Sequence, residues 1–136
     1  MAAKAKAGAP FERLTRSGEF EALRRGKGVT ASFGRLRGIA RAGGEDASPS
    51  LRFGLIVPKK LGNAPRRNRM KRRLREGLRL ARLSGRLDPQ RFSAGIGADI
   101  GIFPAATVLN MEFEALSLAL CAGVAALMRK LAPNPI

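Results

Sequence analysis

The segment from Lys59 to Glu76 holds the residues of this chain that are best suited to binding an anion. It begins as a turn, in which Gly62 and Asn63 supply turn and capping chemistry before a helix. Pro65 suits the first turn of that helix, where its missing N–H costs nothing. The spacing therefore predicts a helix that begins near residue 65.

This predicted helix is cationic over most of its circumference. An apolar residue recurs every three or four positions and forms a narrow stripe suited to packing, made of Met70, Leu74, Leu78 and Ala81. The remaining surface carries the cations Arg66, Arg67, Arg69, Lys71, Arg72, Arg73, Arg75 and Arg79. Because like charges at this spacing repel one another, we expect an anionic partner to compensate them.

The charge of the whole chain favours a polyanionic partner. Lys and Arg number 26 against 10 Asp and Glu, which gives a formal net charge of +16. The segment is richest in arginine, whose planar guanidinium binds phosphate oxygens bidentately or stacks on a base. A helix that lies on a membrane would need a broad apolar face, whereas this stripe is narrow and interrupted by Gly77. We therefore predict nucleic acid as the partner and no membrane association.

The chain is poor in residues that could cleave a phosphodiester bond by themselves. It contains no histidine, which is the commonest general acid, general base and metal ligand. Its aspartates, Asp46, Asp88 and Asp99, fall in separate predicted loops or strand edges, and its glutamates form no clustered pair suited to a two-metal site. We do not expect a self-sufficient nuclease.

The pattern of predicted helices and strands around the basic helix indicates an α+β fold in a single domain. The pattern gives the order αβββαβα, a small sheet covered by helices in a two-layer α/β sandwich. The predicted elements are a helix at 17–25, two short strands or one bent strand within 29–42, a strand at 51–57, the basic helix, a strand at 99–103 and a helix at 111–131.

The length and the cysteine content of the chain indicate its domain organisation and its cellular compartment. We predict a flexible basic tail at residues 1–10 and one RNA-binding domain at residues 11–132. The single cysteine, Cys121, can form no internal disulfide, which favours a reducing, cytoplasmic location and a core role for this residue. The apolar run at 115–128 is too short to span a bilayer.

The segment from Lys59 to Glu76 resembles the signature of the bacterial ribonuclease P protein component. A strand that ends in a Lys-Lys pair, a Gly-Asn-Ala turn and an Arg-Asn-Arg helix occur in the order and spacing of that family. The matching residues are Lys59, Lys60, Gly62, Asn63, Ala64, Arg67, Asn68, Arg69, Lys71, Arg72, Leu74, Arg75 and Glu76. Residues 13–20 resemble the opening helix of the family, and 51–57 the strand before the signature. The resemblance is good from about residue 13 to 82 and poor beyond.

The resemblance implies a fold and a function. Members are small α/β sandwiches whose basic helix is entered through a left-handed βαβ crossover, against the usual right-handed rule. They bind a catalytic RNA and the 5′ leader of precursor tRNA, and the holoenzyme removes this leader by endonucleolytic hydrolysis. The chemistry is assigned to the RNA and its Mg²⁺ ions, so this chain would be an enzyme subunit without catalytic residues. No obligate protein partner is predicted.

The resemblance also implies site residues. The implied RNA contacts are Lys59, Lys60, Asn63, Arg67, Asn68, Arg69, Lys71, Arg72 and Arg75, and we add Arg66 and Arg73 as cations of the same helix. The leader would lie in a cleft between the opening helix and the sheet, where Phe20 matches a family aromatic that stacks on a base. Core packing is an equal alternative for Phe20. Phe33 is a weaker candidate of the same kind.

Two departures from the family pattern and one alternative function accompany this interpretation. Arg24 stands where a second cleft aromatic is common, and the run from Phe103 to Ala106 replaces a basic residue that usually follows the last strand. The alternative is a structural RNA-binding protein, similar to a ribosomal protein, with no role in cleavage. Whether carboxylates of this chain help to hold metal ions near bound RNA stays open.

Overall fold

The computed structural model describes residues 12–13, 17–41, 51–87 and 97–131. The strands and helices are β1 (Glu12–Arg13), α1 (Ser17–Ala22), β2 (Lys27–Ala31), β3 (Gly34–Arg41), β4 (Leu51–Leu55), α2 (Ala64–Leu83), β5 (Gly97–Pro104) and α3 (Phe113–Leu131). Short 3-10 turns occupy Leu23–Arg25, Lys59–Leu61 and Ala106–Leu109. The predicted tail at residues 1–10 lies outside the described residues.

The strands form one mixed sheet in the order β1-β4-β5-β3-β2. β2 and β3 are an antiparallel hairpin, β3 also runs antiparallel to β5, and β5 is parallel to β4. Because β4 and β5 are parallel neighbours joined through α2, the segment from Leu51 to Pro104 contains a βαβ unit. The left hand of this crossover stays a prediction of the family resemblance.

The main core lies between one face of the sheet and the helices α2 and α3. Leu36 of β3 stands opposite Ile102 of β5, and Phe53 of β4 stands opposite Ile100 of β5. These side chains are buried in one hydrophobic cluster together with side chains of both helices. The predicted stripe of α2 is confirmed, since Met70, Leu74, Leu78 and Ala81 are all buried.

Gly77, which interrupts the apolar stripe in the sequence, is a packing residue. It is buried, and a Cβ at this position would lie 2.9 Å from Cδ1 of Leu120 and 3.6 Å from Cγ of Leu116. The absence of a side chain thus lets α3 approach the backbone of α2 closely. From sequence periodicity alone, Gly77 was interpreted as an interruption of the stripe, because periodicity does not show which helix packs against this position.

The predicted order of elements is confirmed, with three differences. The sequence pattern missed β1, a strand of two residues. The segment 29–42, left open between one bent strand and two short ones, forms the β2–β3 hairpin. The last helix begins at Phe113 instead of residue 111, after a 3-10 turn. β5, which follows the part of good sequence resemblance, lies at the centre of the sheet.

Candidate nucleic-acid interface

The turn before α2 depends on Gly62. This residue has φ +136° and ψ −175°, a backbone conformation that L side chains rarely adopt. A Cβ at this position would also lie only 2.3 Å from Cδ of Arg66. The backbone conformation therefore requires glycine between the lysine pair and the basic helix, and an added Cβ would also displace the Arg66 side chain.

The first turn of α2 is capped as the sequence predicts. The Oδ1 atom of Asn63 accepts a hydrogen bond of 3.0 Å from the backbone N–H of Arg66, and Pro65 lies in the first turn. The helix begins at Ala64, one residue before the predicted start. Because Oδ1 of Asn63 is used by the cap, the side chain orients the helix in addition to any contact that it makes with RNA.

Two arginines of the first helical turn fold back onto the preceding turn. Nε of Arg66 donates to the carbonyl oxygen of Leu61 at 2.9 Å, and Nε of Arg67 donates to that of Gly62 at 3.0 Å. These bonds use Nε alone, and the terminal nitrogens of a guanidinium carry further N–H donors suited to phosphate. The arginines thus hold the turn in shape and direct their terminal nitrogens from fixed positions.

The remaining polar residues of this segment form a continuous cationic surface. We use the name "basic surface" for the following exposed or half-exposed residues: Lys59, Lys60, Arg66, Arg67, Asn68, Arg69, Lys71, Arg72 and Arg75. The acid that follows, Glu76, pairs with Arg79 at 3.6 Å, beyond the end of this surface. All the predicted RNA contacts except Asn63, which caps the helix, and Arg73 therefore belong to one surface on one helix and its leading turn.

Arg73 differs from its neighbours and is removed from the candidate RNA contacts. Its Nε donates to the carbonyl oxygen of Val108 at 2.8 Å, and its Nη2 donates to that of Met111. Its guanidinium carbon lies 5.9 Å from the ring centroid of Phe113. Arg73 therefore joins α2 to the turn before α3, which the charge pattern of the sequence could not distinguish from an exposed cation.

The sheet face opposite the main core carries a second candidate site, which we call the cleft face. A Cβ at Gly101 of β5 would lie 2.6 Å from Cδ1 of Leu23, 3.0 Å from Cδ1 of Ile56 and 3.4 Å from Cε1 of Phe103. Ile56 and Phe103 are half-buried, and Phe20 lies one helical turn before Leu23 and is also half-buried. The end of the opening helix thus lies over the sheet beside a partly exposed apolar surface.

The prediction that Phe33 lines the cleft is wrong. Its side chain is fully buried in the main core, on the opposite side of the sheet. A Cβ at Gly123 of α3 would lie 3.5 Å from Cζ of Phe33, so the ring packs beneath that helix. This apolar residue of the hairpin turn was assigned to the wrong face, because the sequence does not show which side α3 covers.

The cleft face also holds polar residues that sequence reasoning did not find. Arg52 of β4 stands opposite Asp99 of β5, and the two side chains form a bidentate ion pair with both N–O distances at 2.7 Å. Arg37 of β3 stands opposite Gly101 and donates hydrogen bonds to the end of the opening helix. Both arrangements join residues far apart in the chain, so no local motif could indicate them.

Groups that would suit metal or thiol chemistry are few in the described part of the chain. Among the residues in the four described ranges, no group of three or more His, Cys, Asp or Glu side chains could hold a metal ion. Burial raises the pKa of the Cys121 thiol, which keeps it protonated at neutral pH. In the same described residues, no helix is long and apolar enough to cross a bilayer.

Comparison with known proteins decides the family. The family model for ribonuclease P matches residues 9–128 of this chain. The chain belongs to this family. The match includes most of the C-terminal third, where the sequence resemblance was poor. A ribonuclease P protein component of Thermus oshimai is 39% identical over 72 residues, which are 53% of this chain and 43% of that relative. The chain thus aligns with less than half of that relative.

Solved structures share the fold. The ribonuclease P protein of Thermotoga maritima is 24% identical, with a TM-score of 0.61 and coverage of 87% of this chain and 96% of that chain. A ribonuclease P protein of Staphylococcus aureus is 19% identical, with a TM-score of 0.59 and coverage of 89% and 97%. At these identities the likeness concerns the fold.

Proposed function

We propose that this chain is the protein subunit of ribonuclease P, which binds the catalytic RNA and the 5′ leader of precursor tRNA and assists removal of the leader. The observation that carries this proposal is the basic surface, built on a turn that only glycine permits and held by Arg66 and Arg67. Family membership supports the assignment of this surface to the catalytic RNA.

The contribution of the protein is electrostatic. Removal of the leader requires the catalytic RNA and the precursor tRNA to associate, although their phosphates repel one another. Cations of the basic surface neutralise phosphates and release the counterions condensed on them, so the complex forms with less divalent metal. The arginines hold the phosphate backbone and thereby position the RNA, whereas they read no base sequence.

We propose that Mg²⁺ is held mainly by the RNA partner, where it would supply activation of water and stabilisation of the leaving oxygen. The described residues of this chain offer it no carboxylate cluster, and the pair Arg52–Asp99 already satisfies one buried aspartate. The role of this chain's residues is therefore to bind and orient RNA. The cytoplasm, where tRNA is processed in bacteria, is the proposed location.

The cleft face is proposed to receive the single-stranded leader. Its half-buried apolar residues, Phe20, Ile56 and Phe103, offer surfaces on which bases stack or pack, and Arg35 of β3 is exposed on the same face. A surface of this kind binds single strands with little sequence preference. Phe20 is the stacking candidate, because it lies on the opening helix and outside the main core cluster.

The test is 5′ processing of a precursor tRNA transcript by a bacterial ribonuclease P RNA at low Mg²⁺, with and without this chain. Cleavage at the mature 5′ end that depends on the chain is the expected result. Tight binding to the catalytic RNA without any stimulation of cleavage would instead favour the structural RNA-binding alternative.

A further inference from the structure

Arg37 of β3 binds the carbonyl groups at the C-terminal end of the opening helix, although it lies at least 11 positions further along the chain. Its Nε donates to the carbonyl oxygen of Leu23 at 3.2 Å, and its Nη2 donates to those of Arg24 at 3.0 Å and Gly26 at 3.1 Å. The last carbonyl groups of a helix have no partner within the helix and carry partial negative charge. One guanidinium therefore binds three carbonyl oxygens at the negative end of the helix, and that of Leu23 also accepts from the backbone N–H of Gly26.

Two further contacts fix the same helix end against the sheet. A Cβ at Gly26 would lie 1.9 Å from the carbonyl oxygen of Gly38, so the backbone after the helix lies directly on β3. The side chain of Leu23 occupies the space above Gly101 of β5. The opening helix is thus attached to the two central strands of the cleft face, β3 and β5, through its C-terminal end.

The opening helix needs these contacts to hold its position. α1 has six residues and its 3-10 extension has three, which is far below the length at which an isolated helix is stable in water. Phe20 lies one helical turn before Leu23, so its distance from the sheet depends on how the helix end is held.

We propose that Arg37 is a positioning residue for the leader. By holding the end of the opening helix against the sheet, it sets the width of the cleft between Phe20 and the cleft face, and it thereby sets the affinity for the single-stranded 5′ leader. This inference rests on the proposed function, since it presupposes that the cleft face binds the leader.

The geometry requires arginine at this position. Two different nitrogens of one planar guanidinium bind three carbonyl oxygens, an arrangement that a lysine ammonium cannot reproduce. Arg37→Lys therefore removes the attachment and keeps the charge. Arg129 provides the control, because it is an exposed arginine near the end of α3, which packs on the opposite face of the sheet.

The experiment measures the affinity of the reconstituted holoenzyme for a precursor tRNA transcript with a leader and for the same tRNA without one. For Arg37→Lys we expect the advantage conferred by the leader to fall about tenfold, while affinity for leaderless tRNA and for the catalytic RNA stays within about twofold. Arg129→Lys should leave all three affinities within about twofold.

Leu23→Ala is a second variant that loosens the same helix end and keeps Arg37, and we expect the same selective loss. Either of two results would overturn the inference: an unchanged leader advantage in folded Arg37→Lys, or an equal loss for both tRNAs together with a lower melting temperature. If the unsubstituted chain confers no leader advantage, the proposed function of the cleft face fails before any variant is compared.

Discussion

The basic surface and the cleft face are two candidate RNA sites built in opposite ways. The basic surface comes from one continuous segment, Lys59 to Arg75, whose turn, cap and helix follow one another along the chain. The cleft face is assembled from the opening helix and from β3, β4 and β5. Local sequence can specify the first kind of site, whereas the second exists only once the sheet has formed.

The two sites should respond differently to salt, and this is the largest effect we expect. If the basic surface contacts about six to ten phosphates, affinity for the catalytic RNA falls by about 10³–10⁵ between 50 and 200 mM salt. The leader advantage should change much less over the same range, because we propose that the leader is held there mainly by stacking and apolar contacts. Titrations of catalytic RNA and of both tRNAs at several salt concentrations measure this, and parallel slopes for the two sites would remove the distinction.

Two phenylalanines separate core packing from leader binding. Phe33→Ala should lower the free energy of unfolding by about 3–5 kcal/mol, because it empties a fully buried position. Phe20→Ala should instead weaken leader binding by about 1–3 kcal/mol, the usual contribution of one base stacked on an aromatic ring. Thermal melting and leader affinity of both variants decide this. A stability loss for Phe20→Ala as large as that for Phe33→Ala would assign Phe20 to the core.

Glycine substitutions test how far the turn shapes the basic surface. Gly62→Ala should destabilise the fold by about 2–3 kcal/mol and also weaken RNA binding, since strain and contact with Arg66 both act there. Gly85 is the control: it has φ +80°, but nothing lies within 4 Å of its added Cβ. Gly85→Ala should cost about 1 kcal/mol and leave RNA affinity unchanged. Equal effects of the two variants, measured by denaturant unfolding, would contradict the role of this turn.

Adjacent arginines give the smallest and sharpest contrast. Arg73→Ala should lower stability by about 1–2 kcal/mol through the loss of its bonds to Val108 and Met111. Arg72→Ala, which removes the same charge from an exposed position, should leave stability within about 0.5 kcal/mol and weaken RNA binding more. Melting and RNA titration of the pair measure this. If Arg73→Ala weakens RNA binding as much as Arg72→Ala at unchanged stability, Arg73 belongs to the basic surface.

The sequence predicted most of what depends on neighbours in the chain. The Asn63 cap and the buried stripe from Met70 to Ala81 follow from capping and periodicity and are observed, and the helix predicted to begin near residue 65 begins at Ala64. The order of elements was predicted for the same reason. Among the described residues, only the two-residue β1 was missed, because so short a strand shows no alternation.

The remaining features depend on contacts between distant parts of the chain. Arg73 and Arg72 are both cations on one helix, and only the turn before α3 distinguishes them. Arg37 reaches carbonyl groups 11 to 14 positions earlier, and Arg52 pairs with an acid 47 positions later. Such partners are set by sheet register and by the face that each helix covers, which no local pattern encodes.

The most direct test of the account is precursor-tRNA 5′ processing at low Mg²⁺ by a bacterial ribonuclease P RNA, with this chain and two double variants. Arg69→Ala with Arg72→Ala removes two exposed cations of the basic surface, and Arg86→Ala with Arg129→Ala removes two exposed cations outside the basic helix. We predict strong stimulation of cleavage by the unsubstituted chain and the control, and loss of most of it with the first variant. No stimulation by the unsubstituted chain, or equal loss in both variants, would contradict the account.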